Sequence, residues 1–267
     1  MTPRPSRPRK RFGQHFLNDA AVVDRILDSL DLESGLPVFE IGPGRGALTV
    51  PLLQRLPALH VIEIDRDLAA DLQARYGGDG RLKVHCVDAL KFDFCGAAPG
   101  RLLVLGNLPY NISTPLLFHL LDHLDCIEQM VFMLQKEVAE RLCAEPGSRD
   151  YGRLSIMIQS RCAVQPLFNV APGAFTPPPR VESMVIRLTP AAAAAPAIED
   201  RGLFADIVRT AFSHRRKTLR NALKGLVDEA VFAEVGISAQ SRPEDLPVAA
   251  YAALANALAA HKRRGDR

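Results

Sequence analysis

Short apolar runs alternate with amphipathic segments from residue 37 to residue 189, and this alternation constrains the fold more than any other feature of the chain. Apolar runs of four to six residues are typical of buried strands, and helical segments between them are typical of crossover connections. We therefore predict an α/β domain built on a doubly wound parallel sheet. The predicted strands are residues 38–41, 59–64, 82–86, 102–105, 130–134 and 184–188, and the predicted helices are 47–56, 66–76, 115–123 and 136–144.

The sequence AAAAAPA at 191–197 ends this alternation, and we interpret it as a linker. The chain beyond this linker is expected to be helical throughout, with predicted helices at 203–212, 217–227, 228–235 and 246–260. Two domains are therefore expected, an N-terminal arm plus the α/β domain at 1–195 and a small all-helical domain at 196–267.

The net charge of +3 conceals a strong asymmetry along the chain. Residues 1–11, 209–224 and 262–267 hold 15 of the 33 basic residues and a single acid, Asp266. The remaining residues carry a net charge of −11. Two basic tails and a basic patch on an acidic body favour a polyanionic partner, although charge alone leaves ordinary solvated surfaces as an alternative.

No apolar run approaches the roughly 18 to 20 residues that a membrane helix needs, and the basic N-terminus leads into Asn18 and Asp19 rather than into an apolar signal core. We expect a soluble, cytoplasmic protein. The five cysteines are odd in number and never spaced C-x-x-C, so reduced and mostly buried thiols are expected, without a disulfide framework or a metal site. They are Cys86, Cys95, Cys126, Cys143 and Cys162.

A glycine-rich turn, EIGPGRG at 40–46, follows the first predicted strand. Glycine in such a turn lets the backbone approach a ligand closely. The turn satisfies the dinucleotide-binding pattern, and Glu63 lies 21 residues after Gly42, where a ribose-binding acid belongs. A Walker loop is excluded because no Gly-Lys-Ser/Thr closes the turn. A purely structural tight turn remains an alternative at this point.

Polar residues stand at or just beyond the ends of the first four predicted strands: Glu40, Glu63, Asp88 and Asn107. In a doubly wound sheet these strand ends line one crevice, so the four side chains are expected to converge on one site. Glu63 would bind the two hydroxyls of a ribose, and Asp88 would bind an exocyclic amine or a ring edge. This describes an adenosine, which NAD and S-adenosylmethionine both contain.

The fourth strand is followed by Asn107-Leu108-Pro109-Tyr110, a sequence suited to holding an aromatic amine. Such an amine is a poor nucleophile because its lone pair is delocalised into the ring. The Asn107 side-chain oxygen and the Leu108 or Pro109 carbonyl could hold its hydrogens and aim the lone pair at an electrophilic methyl. Tyr110 could stack on the base, with the fixed φ of Pro109 keeping ring and acceptor in register. An ordinary turn is the alternative.

These residues carry a family resemblance. Residues 40–46 resemble the cofactor loop of S-adenosylmethionine-dependent methyltransferases, and Asn107–Tyr110 resembles the N/D-x-P-Y motif of those that methylate adenine N6. Further segments resemble the ribosomal RNA adenine dimethyltransferase family, most closely its bacterial small-subunit, kasugamycin-resistance branch. They are RKRFGQHFLND (9–19), GNLPYNISTPLLFHLL (106–121), FMLQKEVAERL (132–142), YGRLS (151–155), FTPPPRVES (175–183) and RRKTLRNAL (215–223).

The resemblance implies a Rossmann-like methyltransferase domain and assigns roles to individual residues. It implies that S-adenosylmethionine is bound by His15, Leu17, Gly42, Glu63, Asp88 and Asn107. It places the target adenine against Asn107, Leu108 and Tyr110, with Pro109 between them and Phe175 facing Tyr110 as a second aromatic plate. The chain departs from the family at His15, where Asn is frequent, and a neutral imidazole can still form one hydrogen bond there.

The basic segment within 209–224 is expected to contact RNA phosphates through one helix surface, because it holds six cations and no acid. A solvated face is the alternative. The predicted RNA-binding residues are Arg215, Arg216, Lys217, Arg220 and Lys224.

The resemblance implies N6,N6-dimethylation of two adjacent adenosines in the 3′-terminal hairpin of small-subunit (16S) ribosomal RNA, late in assembly, on a pre-30S particle. We expect a monomer that needs no metal. Three alternatives remain at this stage: the large-subunit ribosomal RNA dimethyltransferase of macrolide resistance, an NAD-dependent oxidoreductase, and a noncatalytic assembly factor.

Overall fold

The structure is a computed structural model that describes residues 15–191 and 197–265. In the described residues the strands are β1 Phe16–Leu17, β2 Val38–Ile41, β3 Leu59–Ile62, β4 Leu82–His85, β5 Leu102–Asn107, β6 Ile127–Gln135, β7 Cys162–Val170, β8 Phe175–Thr176 and β9 Ser183–Pro190. The helices are α1 Ala20–Leu27, α2 Thr49–Arg55, α3 Arg66–Tyr76, α4 Phe94–Ala97, α5 Ser113–Leu121, α6 Lys136–Cys143, α7 Arg153–Gln159, α8 Arg201–Ser213, α9 Leu219–Ala222, α10 Glu229–Glu234 and α11 Val248–Gly265.

A seven-stranded sheet in the order β4-β3-β2-β5-β6-β9-β7 organises the first part of the chain. The pairs from β4 to β6 are parallel, which confirms the predicted α/β fold. The chain builds outward from β2 to β4 and then returns to add β5 on the other side of β2. That reversal of strand order creates a crevice beyond the carboxyl ends of β2 and β5, the usual ligand site in such sheets.

The far side of the sheet departs from the predicted all-parallel arrangement. Strand β9 runs antiparallel to β6 and lies between β6 and the edge strand β7. Strand β7 was not predicted, because only two of its nine residues are buried and because it contains Pro166. Proline cannot donate to a ladder and is tolerated mainly in edge strands, where β7 lies. The pairing direction of β9 depends on contacts distant in sequence, so its apolar pattern alone could not predict it.

Contacts divide the chain into two compact units. The first comprises Met1–Ala139 and Val164–Pro190 and contains the sheet. The second comprises Glu140–Ala163 and Ala191–Arg267, and its core is formed by side chains such as Tyr151, Phe204 and Tyr251. The predicted division at residue 195 did not include Glu140–Ala163 in the second unit. The Tyr151 hydroxyl donates to Leu246 O at 2.9 Å, which ties that segment to the C-terminal helices.

Helix boundaries follow the sequence where a cap is present. Helix α3 begins at Arg66, as predicted, directly after Asp65, whose carboxylate accepts from Asp67 N. Helix α1, which was not predicted, begins in the same way after Asp19. The predicted helix at 217–227 is reduced to the four residues of α9. None of the helices in the described ranges is long and apolar enough to cross a membrane.

The prediction of reduced thiols without a disulfide is wrong for two of the five cysteines. Cys95 and Cys126 form a disulfide, and Cys86 is exposed. The two bonded residues are 31 positions apart, and folding brings their Cα atoms to 5.4 Å. Sequence spacing gives no sign of that approach, since one cysteine lies in α4 and the other directly precedes β6.

Candidate active site

A cavity of about 330 Å³ opens at the crevice between β2 and β5. Its lining includes all four polar residues from the strand ends, Glu40, Glu63, Asp88 and Asn107, so the predicted convergence is confirmed. Ile64 also lines it and remains 49% exposed, although sequence analysis placed it inside a buried strand. An exposed apolar side chain beside a buried carboxylate suits a ligand with a flat ring and a polar edge.

Glu63 is held at the floor of the cavity by backbone groups on both sides. Its Oε2 accepts from Gly44 N at 3.2 Å, and its Oε1 accepts from Asp65 N at 2.9 Å. Burial raises the pKa of this carboxyl group, and the two backbone hydrogen bonds act in the opposite direction. Each oxygen keeps a second lone pair, so the carboxylate can accept from two neighbouring ligand hydroxyls.

The glycine loop approaches the N-terminal segment closely. Gly42, Gly44 and Gly46 all have positive φ, which side chains rarely adopt. At Gly44 a Cβ atom would lie 3.2 Å from the Phe16 ring. The Arg45 guanidinium lies over that same ring at 4.3 Å from its centroid. The loop therefore has a conformational reason for its glycines as well as a packing reason.

Glu40 is the most deeply buried of the four polar residues at the strand ends. It lines the cavity but is only 1% exposed, and its Oε2 accepts from Thr49 Oγ1 at 2.7 Å. Burial raises its pKa from 4.5 to about 8, with a smaller contribution from the nearby Glu63. The group is therefore largely protonated near neutral pH. Thr49 could not be predicted as the partner of Glu40 from the sequence, because threonine is common at the start of a helix.

Replacing Glu40 by glutamine is expected to change how stability depends on pH. The folded chain binds this proton more tightly than the unfolded chain, so the stabilisation is fully present below about pH 4.5 and is lost as pH rises through about 8. Glutamine mimics the protonated form, so the variant should lose less stability across that window. Thermal unfolding without ligand measures this, with Glu33→Gln as an exposed control. Parallel curves for wild type and Glu40→Gln would contradict the assignment.

Asp88 caps a short helical turn at the side of the cavity. Its Oδ1 accepts from Leu90 N at 3.0 Å, which orients the carboxylate. The second oxygen, Oδ2, keeps its lone pairs for a ligand, and its contact with an exocyclic amine stays a prediction.

Asn107 is the last residue of β5, and its amide has a defined orientation. Its Nδ2 donates to His15 O at 3.2 Å. A carbonyl oxygen can only accept, so the amide nitrogen must face His15, and Oδ1 remains as an acceptor for a ligand. Leu108 N donates to Met133 O, which anchors the turn to β6. Pro109 O accepts from Ile112 N, so the carbonyl of Leu108 is the better placed of the two predicted backbone acceptors.

The segment from His15 to Leu17, which we call the strap, borders the cavity. Its strand β1 pairs antiparallel with β8, with Phe16 opposite Thr176 and Leu17 opposite Phe175. The His15 imidazole Nδ1 lies 2.8 Å from Pro177 O, and its ring stacks with Tyr110 at a centroid distance of 5.9 Å. The strap therefore contacts both the turn at Asn107 and the segment after β8.

The structure does not place Phe175 as the second plate against Tyr110. Phe175 is 3% exposed and belongs to the hydrophobic core together with Leu17. Among the described residues, the ring that stacks with Tyr110 is His15. Pairing of β8 with β1 turns Phe175 inward, and this pairing joins segments about 160 residues apart, which sequence analysis could not see.

The basic segment of the second unit is less free than predicted. Three of its cations pair with acids: Arg209 with Asp206, Arg215 with Glu244, and Arg220 with Glu229. Arg215 also donates to Arg149 O at 2.6 Å, so it holds two loops of this unit together. Arg216, Lys217 and Lys224 are exposed, and none of them forms an ion pair with another described residue. The prediction of a single helical surface is wrong, because α8 ends at Ser213 and the chain turns before α9 begins. The three pairing acids lie outside 209–224, so the composition of this segment does not show them.

Comparison with known proteins decides the family. A sequence profile described as Ribosomal RNA adenine dimethylase matches residues 6–260. The chain belongs to this family. Its relatives include Ribosomal RNA small subunit methyltransferase A of Pseudomonas fluorescens, 54% identical over 255 residues, with 95% of this chain and 94% of that protein covered. The protein of the same name from Alcanivorax borkumensis is 55% identical over 252 residues, with 94% and 90% covered.

Two solved structures share the fold. A dimethyladenosine transferase from Plasmodium falciparum superposes with a TM-score of 0.81 at 28% identity, covering 94% of this chain and 98% of that one. The 23S rRNA methyltransferase ErmE gives a TM-score of 0.70 at 25% identity, covering 91% and 99%. The inserted antiparallel strand β9 also separates this sheet from the usual dinucleotide-binding order, which argues against the NAD-dependent alternative.

S-adenosylmethionine is the cofactor that the dimethylase family and this cavity support. The cavity volume lies at the lower end of the usual range for small-ligand sites, about 300–1,000 Å³. The buried Glu63 offers two acceptors for a ribose, and the glycine loop leaves room for close backbone approach. The donors and acceptors present therefore fit the adenosine half of the cofactor.

Proposed function

We propose that this dimethylase converts two adjacent adenosines of small-subunit ribosomal RNA to N6,N6-dimethyladenosine. The observation that carries the proposal is the orientation of Asn107 at the cavity, with Nδ2 bound to His15 O and Oδ1 left as an acceptor. Two relatives that are 54–55% identical to this chain are named for the small ribosomal subunit, whereas ErmE, which is named for 23S rRNA, is 25% identical to it. The proposed target is the 3′-terminal hairpin, reached late in assembly on a pre-30S particle.

The proposed binding roles divide the cavity in two. Glu63 would hold the ribose of the cofactor, and Asp88 would hold the exocyclic amine of its adenine. Gly42 and the strap, through His15 and Leu17, would contact the rest of the cofactor. When bound, S-adenosylmethionine supplies an electrophilic methyl group on a sulfonium. The target adenine would lie against Tyr110, and the Pro109 ring would keep Tyr110 in register with Asn107. Phe175 could join the site only by leaving the hydrophobic core. We therefore propose that it supports the strap by packing in the core together with Leu17.

Catalysis in this proposal rests on holding the amine. Asn107 Oδ1 and Leu108 O accept the two N–H groups, which favours a pyramidal nitrogen and directs its lone pair toward the methyl group. No strong general base is needed, because the proton becomes acidic only after transfer. After the first methylation one N–H remains, so the second transfer proceeds with one of the two acceptors unpaired or after the amine rotates.

The target base must leave its helix, because N6 inside a duplex is shielded and hydrogen-bonded. Contacts outside the cavity would then hold the RNA. Arg216, Lys217 and Lys224 are the proposed phosphate contacts, while Arg215 and Arg220 are engaged by acids within their own unit. We further propose that the protein acts as a monomer in the cytoplasm and without a metal.

Incorporation of labelled methyl groups tests the proposal directly. Small and large ribosomal subunits from cells lacking both modifications are each incubated with the protein and labelled S-adenosylmethionine, and the modified nucleotides are mapped. We expect two adjacent dimethyladenosines near the 3′ end. Label confined to large-subunit RNA would favour the macrolide-resistance activity, and tight binding to the subunit without label would favour a noncatalytic assembly factor.

Replacing Arg216, Lys217 and Lys224 by alanine is expected to weaken RNA binding and flatten its salt dependence. Plotted as log K against log salt concentration, the slope is negative, and each lost phosphate contact reduces its magnitude by about one. Arg215→Ala serves as the contrast, because its loss leaves Glu244 unpaired and should lower the unfolding temperature with little change in slope. Binding titrations at several salt concentrations measure both. An unchanged slope in the triple variant would remove this surface from the proposal.

A further inference from the structure

Tyr110 is the aromatic side chain of the Asn107–Tyr110 turn, and serines hold it at two points. Its hydroxyl lies 2.9 Å from Ser183 Oγ. Its backbone carbonyl accepts from Ser113 Oγ at 3.3 Å, at the start of α5. A tyrosine anchored only through its backbone could still rotate about two side-chain bonds. An anchored hydroxyl removes most of that freedom, because it fixes the far tip of the ring.

Ser183 is itself fixed to the strand system that carries Asn107. It is the first residue of β9, is fully buried, and pairs with Gln135 at the end of β6. Two residues earlier on β6, Met133 pairs with Asn107 on one side and with Val185 on the other. The tip of the Tyr110 ring and the Asn107 amide are therefore both positioned by the paired strands β5, β6 and β9, and not by separate loops.

The surroundings of Ser183 indicate a specific task for its hydroxyl. Along β9 the neighbours Val185, Ile186 and Leu188 are buried and apolar. A buried hydroxyl among them costs stability unless it is hydrogen-bonded, and the phenol of Tyr110 meets that need. Burial also raises the pKa of Tyr110, so the phenol keeps its proton at neutral pH.

We propose that Ser183 is a positioning residue for methyl transfer: through the Tyr110 hydroxyl it holds the ring against which the target adenine stacks, in register with the Asn107 amide. The inference rests on the proposed function, because it takes Tyr110 to contact the adenine. Ser183 acts through Tyr110, lies outside the cavity lining, and leaves the cofactor contacts untouched. Fixing the plate limits the orientations of the base, which affects the rate of transfer more than the affinity for RNA.

The test compares Ser183→Ala, Tyr110→Phe, the double variant and Ser183→Thr. We expect the first two to lower kcat about tenfold each, with the affinity for S-adenosylmethionine and the KM for RNA within about twofold of wild type. The double variant should be no slower than either single one, because each removes the same hydrogen bond. Ser183→Thr keeps the hydroxyl and should retain most activity. Ser160→Ala, a buried serine outside the site, controls for the loss of a buried hydroxyl.

A second measurement separates this inference from the proposed function. Urea unfolding of the same four variants, with wild type, gives the coupling between Tyr110→Phe and Ser183→Ala even if no RNA is methylated. An inactive wild-type protein would contradict the proposed function. The coupling energy would still show whether the hydrogen bond between Tyr110 and Ser183 forms. The inference is overturned by independent, additive effects in unfolding. It is equally overturned by a Ser183→Ala enzyme as fast as wild type, or by a Thr variant as slow as Ala.

Discussion

Asn107→Ala is expected to lower methyl transfer by about 10²–10³-fold while the affinity for S-adenosylmethionine changes only a few fold. The substitution removes Oδ1, the side-chain acceptor for the target amine, and also the Nδ2 bond to His15 O. The first loss acts on the reacting nitrogen, and the second loosens the strap at one of its several anchors. Single-turnover transfer on small-subunit particles measures the rate, and calorimetric titration measures cofactor binding.

Asn107→Asp is the informative companion to this variant. Aspartate keeps an acceptor for the amine but replaces the donor facing His15 O with a second oxygen, which repels the carbonyl. Its rate should therefore fall between those of wild type and Asn107→Ala. Gln73→Ala, on the exposed side of α3, controls for the loss of an amide elsewhere. A near-normal rate for Asn107→Ala would show that this amide does not orient the amine.

The convergence of the four strand ends could be predicted because it depends on local pattern and on one topological rule. Strand periodicity placed Glu63 and Asn107 at the ends of their strands, and parallel strands bring such ends to one edge of the sheet. Neither step needs a long-range contact. The cap of α3 at Asp65 could be predicted for the same reason, because its partner lies two residues away.

The remaining features depend on partners that are distant in sequence. Phe175 was assigned to the site because its segment resembled a motif, but its direction is set by pairing with Leu17 at the other end of the domain. Arg215 was counted with free cations because no acid is near it in sequence, and Glu244 lies 29 residues away. Such contacts leave no periodic signal, since each is a single pair of residues brought together by the completed fold.

Glu63→Gln is expected to reduce the affinity for S-adenosylmethionine by about 10²–10³-fold. Both carboxylate oxygens accept backbone N–H bonds, from Gly44 and from Asp65. A glutamine amide can satisfy only one of these donors and must turn its NH₂ toward the other, so it offers fewer acceptors to a ribose and also distorts its own anchor. Hydrogen bonds to a charged group contribute about 1.5–3 kcal/mol each, and about 1.4 kcal/mol corresponds to a tenfold change.

The pattern across ligands and pH separates ribose binding from charge attraction. S-adenosylhomocysteine keeps the ribose but lacks the sulfonium charge, so a ribose contact predicts equal losses for both ligands in Glu63→Gln. Burial raises the pKa of Glu63, so this carboxylate takes up its proton earlier than an exposed glutamate as the pH is lowered. The affinity of wild type should therefore begin to fall at a higher pH during acidification, and the affinity of the variant should lack that dependence. Glu33→Gln makes the same chemical change at an exposed position. A loss confined to S-adenosylmethionine would instead assign Glu63 to the sulfonium, because only the charged ligand would then depend on the carboxylate.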